Sequence, residues 1–87
     1  MSKIEMQVLT ASGCTHCHHF LKFWNAESAS WENITLREID ILDREGQQMV
    51  AKHHIFSLPG VVIQNRLIST GEVDVPRFRE ALSAIAA

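Results

Sequence analysis

Residues 12–19 read SGCTHCHH and hold both cysteines of the chain and three of its five histidines. Two thiols separated by two residues suit three chemistries. They can ligate a metal, tether a haem, or exchange electrons as a dithiol. Each needs a different frame around the motif, so the flanking sequence decides.

Upstream, Lys3 to Leu9 alternates, with Ile4, Met6 and Val8 on one face and Lys3, Glu5 and Gln7 on the other. That is a strand with one better-buried side. Thr10 to Gly13 is small and polar and reads as a loop. From Cys14 the period changes. Cys17, Phe20, Leu21 and Trp24 form an apolar helical stripe, and the spacing predicts a helix to about Ala29. The motif therefore sits where a strand gives way to a helix.

The rest of the chain repeats such units. Asn33 to Asp40, with Ile34, Leu36 and Ile39, is a second strand. Asp43 is an N-cap for a helix through His53 that carries Met49 and Val50 inward. Gly46 weakens that helix by up to about 1 kcal/mol relative to alanine. Gly60 to Gln64 and Leu67 to Thr70 read as a β-hairpin around an Asn65–Arg66 turn. Asp74 caps a last helix, with Pro76 in its first turn and Phe78, Leu82 and Ile85 as its stripe. The order is β-α-β-α-β-β-α, an α/β domain spanning residues 1–87. Its first β-α-β should be parallel with a right-handed crossover.

Composition narrows the function. Lysine and arginine number 8 and aspartate and glutamate 10, for a formal net charge of −2. The basic residues are scattered, which gives no electrostatic case for binding nucleic acid or a membrane surface. No apolar run approaches the roughly 20 residues of a membrane span. The N-terminal stretch MSKIEMQVL lacks the continuous apolar segment of a signal peptide. A cytoplasmic monomer is the expectation. In that compartment thiols are kept reduced, so the cysteine pair is not expected to be a structural staple.

This pattern resembles the thioredoxin fold in the compact form of glutaredoxins and small thioredoxin-like proteins, over essentially the whole chain. Two motifs carry the resemblance. Cys14-Thr15-His16-Cys17 follows the first strand, and Leu58–Pro59 precedes the third, where the family has a cis-proline. The resemblance implies a mixed four-stranded sheet of order 2-1-3-4, with the proline loop against the dithiol. Some positions depart from the thioredoxin pattern. Gly13 stands where thioredoxins usually carry tryptophan, and Val8 where many bury an acid. Gly60 follows the proline in place of the common threonine and is expected to leave room beside the site. The glutathione turn of glutaredoxins has two glycines followed by acids; here STGEVDVP offers Gly71, Glu72 and Asp74.

Dithiol chemistry suits these positions. A cysteine at a helix N-terminus meets unpaired N–H groups and the positive end of the helix dipole, which favour thiolate. Such cysteines have pKa values of about 3.5–7.5, against about 8.5 when free. Cys14 is then the nucleophile, and Cys17, one turn later, resolves the mixed disulfide. Thr15 and His16 tune the potential. A partly charged imidazole at His16 would stabilise thiolate and make the pair more oxidising than a C-G-P-C thioredoxin. A cis bond at Leu58–Pro59 leaves the backbone of Leu58 free to pair with an extended substrate peptide. Phe56 and Leu58 are candidates for an apolar lip, and Gly71 joins Leu58 and Pro59 as a candidate for substrate binding.

The expected activity is exchange or reduction of protein or small-molecule disulfides. The Cys14–Cys17 disulfide carries the electrons, without metal or other cofactor. The electron donor is a flavoprotein of the thioredoxin-reductase type or glutathione. The same letters leave rival readings open. Cys14-Thr15-His16-Cys17-His18 spells the c-type haem pattern. Zinc could take Cys14, Cys17, His18 or His19, and His53 or His54. An iron–sulfur cluster could bridge two copies with an external thiol. His18 and His19 lie off the apolar stripe and read as solvated surface, as does Lys22; Trp24 and Trp31 read as packing anchors.

Overall fold

A computed structural model describes residues 3–86. Its elements are β1 (Ile4–Thr10), α1 (Thr15–Glu27), β2 (Ile34–Asp40), α2 (Arg44–His53), β3 (Gly60–Ile63), β4 (Arg66–Thr70) and α3 (Val75–Ala86). The strands form one sheet of order β2-β1-β3-β4. β1 and β2 are parallel, with Val8 opposite Glu38 and Thr10 opposite Asp40. β3 runs antiparallel to β1, with Leu9 opposite Gly60, and β4 antiparallel to β3. This is the α/β arrangement expected, with the same strand order.

The period-two alternation of β1 divides the core. Met6 and Val8 pack with Phe20 and Trp24 of α1, Ile34, Val61, Ile63, and Phe78 and Leu82 of α3. Phe78 meets Phe20 edge-on, with ring centroids 5.4 Å apart. Leu9 points the other way and packs with Ile39, Met49 of α2, Ile55 and Val62. Thus α1 and α3 cover one face and α2 the other. Arg37 follows the same alternation. On the α2 side its guanidinium binds Glu5 at 3.1 Å and also Glu45.

Boundaries differ from expectation in instructive ways. The α-helical part of α1 ends at Glu27, and Ser28–Ser30 forms a single 3₁₀ turn. The hairpin turn is Gln64–Asn65, one residue earlier than read from sequence. Both residues have positive φ, 51° and 64°. A two-residue turn that matches the strand twist needs left-handed backbone at both central positions, and asparagine tolerates it well. Arg66 is thereby released to pair with Ile63. Asp43 is the N-cap of α2 by position, but its side chain makes no capping bond. Asp74 does cap α3: its Oδ1 accepts from the N–H of Arg77 at 3.2 Å.

Candidate active site

β1 and β2 end at the same edge of the sheet, where β3 begins. Loops 11–13 and 54–59 therefore meet the sheet at one end. Gly13 has φ of 76°, a conformation that a side-chain-bearing residue adopts only with strain, so tryptophan would be ill placed there. Cys14 follows in extended backbone as the N-cap of α1. The N–H of Cys17 donates to Cys14 Sγ at 3.1 Å, and the N–H of His18 to the Cys14 carbonyl at 3.1 Å. No acidic side chain lies in the first turn of α1. The cap position thus offers a sulfur the positive end of the helix with no nearby carboxylate of the same turn to oppose it.

Cys14 and Cys17 are joined as a disulfide, with Cα atoms 5.2 Å apart. Their environments differ. Cys14 is half-buried, whereas Cys17 is 3% exposed and belongs to the core side of the helix. Thr15 and His16 are exposed between them. His16 Nδ1 lies 4.0 Å from Glu72 Oε2 in the loop after β4. That contact is open to solvent and contributes little by itself.

The Leu58–Pro59 bond is cis, and Pro59 is fully buried. Gly71 supports it from behind: its N–H donates to the Pro59 carbonyl at 3.1 Å. Gly71 is thus joined directly to the proline loop. Its φ of 71° suits glycine. Leu58 is half-buried and Phe56 is 89% exposed. Gly60 does not leave the room expected of it. A Cβ there would lie 2.9 Å from Cγ2 of Ile55, so the space is already filled.

A cleft of about 450 Å³ opens on the β2 side of the disulfide. Thr10, Gly13, both cysteines, His18 and Glu38 line it. Sequence reading placed His18 correctly on the surface but did not connect it, Thr10 or Glu38 with the dithiol. The β2 alternation, in which Ile34 and Leu36 face α1, puts Glu38 next on that face; the strand pairing sets it beside Thr10. Among the described residues, no three His, Cys, Asp or Glu side chains are arranged to hold a metal ion. The set proposed from sequence, with His53 or His54 joining the cysteines, is therefore not gathered. No helix is long and apolar enough to cross a membrane among the described residues.

The thioredoxin domain model matches residues 4–83. Among solved structures, oxidised thioredoxin O1 of Arabidopsis thaliana superposes with a TM-score of 0.72 at 16% identity, over 99% of this chain and 80% of that one. The Drosophila germline-specific thioredoxin Deadhead gives 0.68 at 16%, over 97% and 82%. Oxidised thioredoxin of Plasmodium falciparum gives 0.65 at 17%, over 99% and 84%. No curated protein matches the sequence significantly. At such identities the structural likeness speaks for the fold alone.

Proposed function

The chain belongs to the thioredoxin domain family, and from that premise we propose that it is a thiol–disulfide oxidoreductase acting on disulfides of proteins or small thiols. Residues 1–87 work as one domain. The observation that carries the reading is the placement of two bonded sulfurs at the start of α1, with the Cys17 amide directed at Cys14. The more exposed sulfur is the natural point of attack, and the buried one the natural resolver.

In the reduced enzyme the Cys14 thiolate attacks one sulfur of a substrate disulfide and releases the other as thiolate. Cys17, once deprotonated, attacks Cys14 Sγ. The bond to the substrate breaks, its sulfur leaves with the electron pair, and the Cys14–Cys17 disulfide closes. The substrate gains two electrons and the dithiol loses two, so no metal or organic cofactor is required. Thr15 and His16 set how readily the pair is oxidised. Leu58 and Pro59 form the surface that receives the substrate strand, with Gly71 holding the proline loop in place.

A flavoprotein reductase is the preferred electron donor, with glutathione as the alternative. Two features weigh against a glutathione-specific turn. Asp74 is engaged in capping α3, and Glu72 faces His16. We place the protein in the cytoplasm as a monomer. The test is turnover of insulin disulfides with thioredoxin reductase, compared with glutathione and its reductase. Turnover with the flavoprotein and its loss in Cys14→Ser support the proposal. Absence of turnover with both donors overturns it.

A further inference from the structure

The cleft beside the disulfide contains one carboxylate, that of Glu38. Sheet alternation explains how it gets there. On the α1 face, β2 presents Ile34, then Leu36, then Glu38, and β1 presents Met6, then Val8, then Thr10. Each strand therefore ends its apolar row with a polar residue, beneath the first turn of α1. Thr10 is 4% exposed, and its hydroxyl donates to Glu38 Oε2 at 2.8 Å. A buried threonine thus fixes a carboxylate on the neighbouring strand. Arg37, one residue earlier, faces the opposite side and is occupied there by Glu5 and Glu45.

We propose that Glu38 is the proton acceptor for Cys17 during resolution, and that Thr10 is its positioning residue. This inference rests on the oxidoreductase reading. Cys17 is nearly inaccessible, so it enters resolution as a thiol whose proton has to leave before the sulfur can attack. Cys17 and the solvent-exposed Glu38 line the same cleft, which gives the proton a route from that sulfur to the carboxylate. The balance is simple. Glu38 takes the Cys17 proton, Cys17 Sγ bonds to Cys14 Sγ, and the substrate sulfur leaves as thiolate. Reduction of the Cys14–Cys17 disulfide returns the proton along the same route. The other titratable groups lining the cleft are Cys14, the N-cap of α1, and His18 in its first turn; β1 contributes only the neutral Thr10, and α2 and α3 contribute none. Asp40, next after Glu38 on the same face of β2, accepts from the N–H of Leu42.

The reduced protein mixed with a nitrobenzoate disulfide separates the two steps. A concentration-dependent first release of coloured thiolate reports attack by Cys14, and a concentration-independent second release reports resolution by Cys17. At about pH 6, Glu38→Gln is expected to slow the second phase at least about tenfold, within the usual reach of general-base catalysis, and to leave the first phase unchanged. The difference should narrow towards about pH 9, where solvent itself removes thiol protons. Thr10→Val should slow the second phase by a smaller factor, and His18→Gln should alter neither phase. Circular dichroism spectra that match the parent establish that each variant is folded. Equal second-phase rates in Glu38→Gln and the parent at about pH 6, or a loss in His18→Gln instead, would overturn the proposal. Absence of any first phase would refute the oxidoreductase reading, and this inference with it.

Discussion

The amide of Cys17 donates a hydrogen bond to the sulfur of Cys14 at 3.1 Å, making Cys14 both the cap of α1 and half of the disulfide. The same donor is available to the thiolate after reduction. Together with the helix dipole it should depress the Cys14 pKa. Alkylation of the reduced protein should reach half its limiting rate between about pH 3.5 and about pH 7.5. A midpoint near that of a free thiol, about pH 8.5, would show that the cap does not stabilise the anion.

His16 is exposed beside the disulfide, with Glu72 as its carboxylate neighbour. His16→Pro removes an imidazole that can carry charge near the Cys14 thiolate. The reduced state loses stabilisation, so the reduction potential should fall, by about 30 mV if the effect is tenfold. Equilibration against glutathione buffers measures this. A potential that stays or rises contradicts a tuning role for His16.

Glu27 joins the end of α1 to α3. Its carboxylate accepts from Arg79 Nε and Nη2, both at 2.9 Å, and from Trp31 Nε1 at 3.1 Å. Hydrogen bonds from Arg79, and then from Trp31, hold its pKa below the ordinary glutamate value. A carboxyl group with a lowered folded pKa contributes stability that is complete above its unfolded value, about 4.3, and is lost as pH falls through the folded value. Urea midpoints should therefore drop more steeply in acid for the parent than for Glu27→Gln. High salt should shrink the gap. Parallel pH profiles would contradict the assignment.

Gly46 lies inside α2, where helix propensity alone favours alanine by about 0.8–1.0 kcal/mol. The packing argues the reverse, because a Cβ at this position would collide with the carbonyl of Asp40 at the end of β2. That atom belongs to the backbone and cannot swing aside. Gly46→Ala should lower the thermal midpoint, with overpacking costing about 1–3 kcal/mol. A raised midpoint would show that α2 can move away from β2 at little cost.

Much of this was legible in the sequence because the signals were local. Alternation in β1, the Cys17–Phe20–Trp24 stripe and the cap at Asp74 each lie within a few residues, and the structure has them as read. The hairpin turn was misplaced by one residue because Gln64 carries no special preference for positive φ; Asn65 marked only half of the turn. Gly46 looked like a weakness of α2, since helix propensity says nothing of how the 41–43 turn folds the nearby Asp40 carbonyl back against the helix. Gly60 suggested open space, but the side chain that fills it, Ile55, could be placed only by the fold of the 54–59 loop. Glu38 was missed for a related reason. Its row on β2 could be read, but not the strand pairing that sets it beside Thr10 and the cysteines.

The central claim is that Cys14 and Cys17 form a reversible two-electron couple at the head of α1. Its most direct test is a redox titration of the full chain in graded dithiol buffers, with the free thiols alkylated and resolved by mass. One transition is predicted, in which both sulfurs gain the label together on reduction and lose it together on oxidation, and which Cys17→Ser abolishes. Two thiols that titrate independently, or a pair that stays unlabelled under full reduction because a bound metal holds it, would contradict the account.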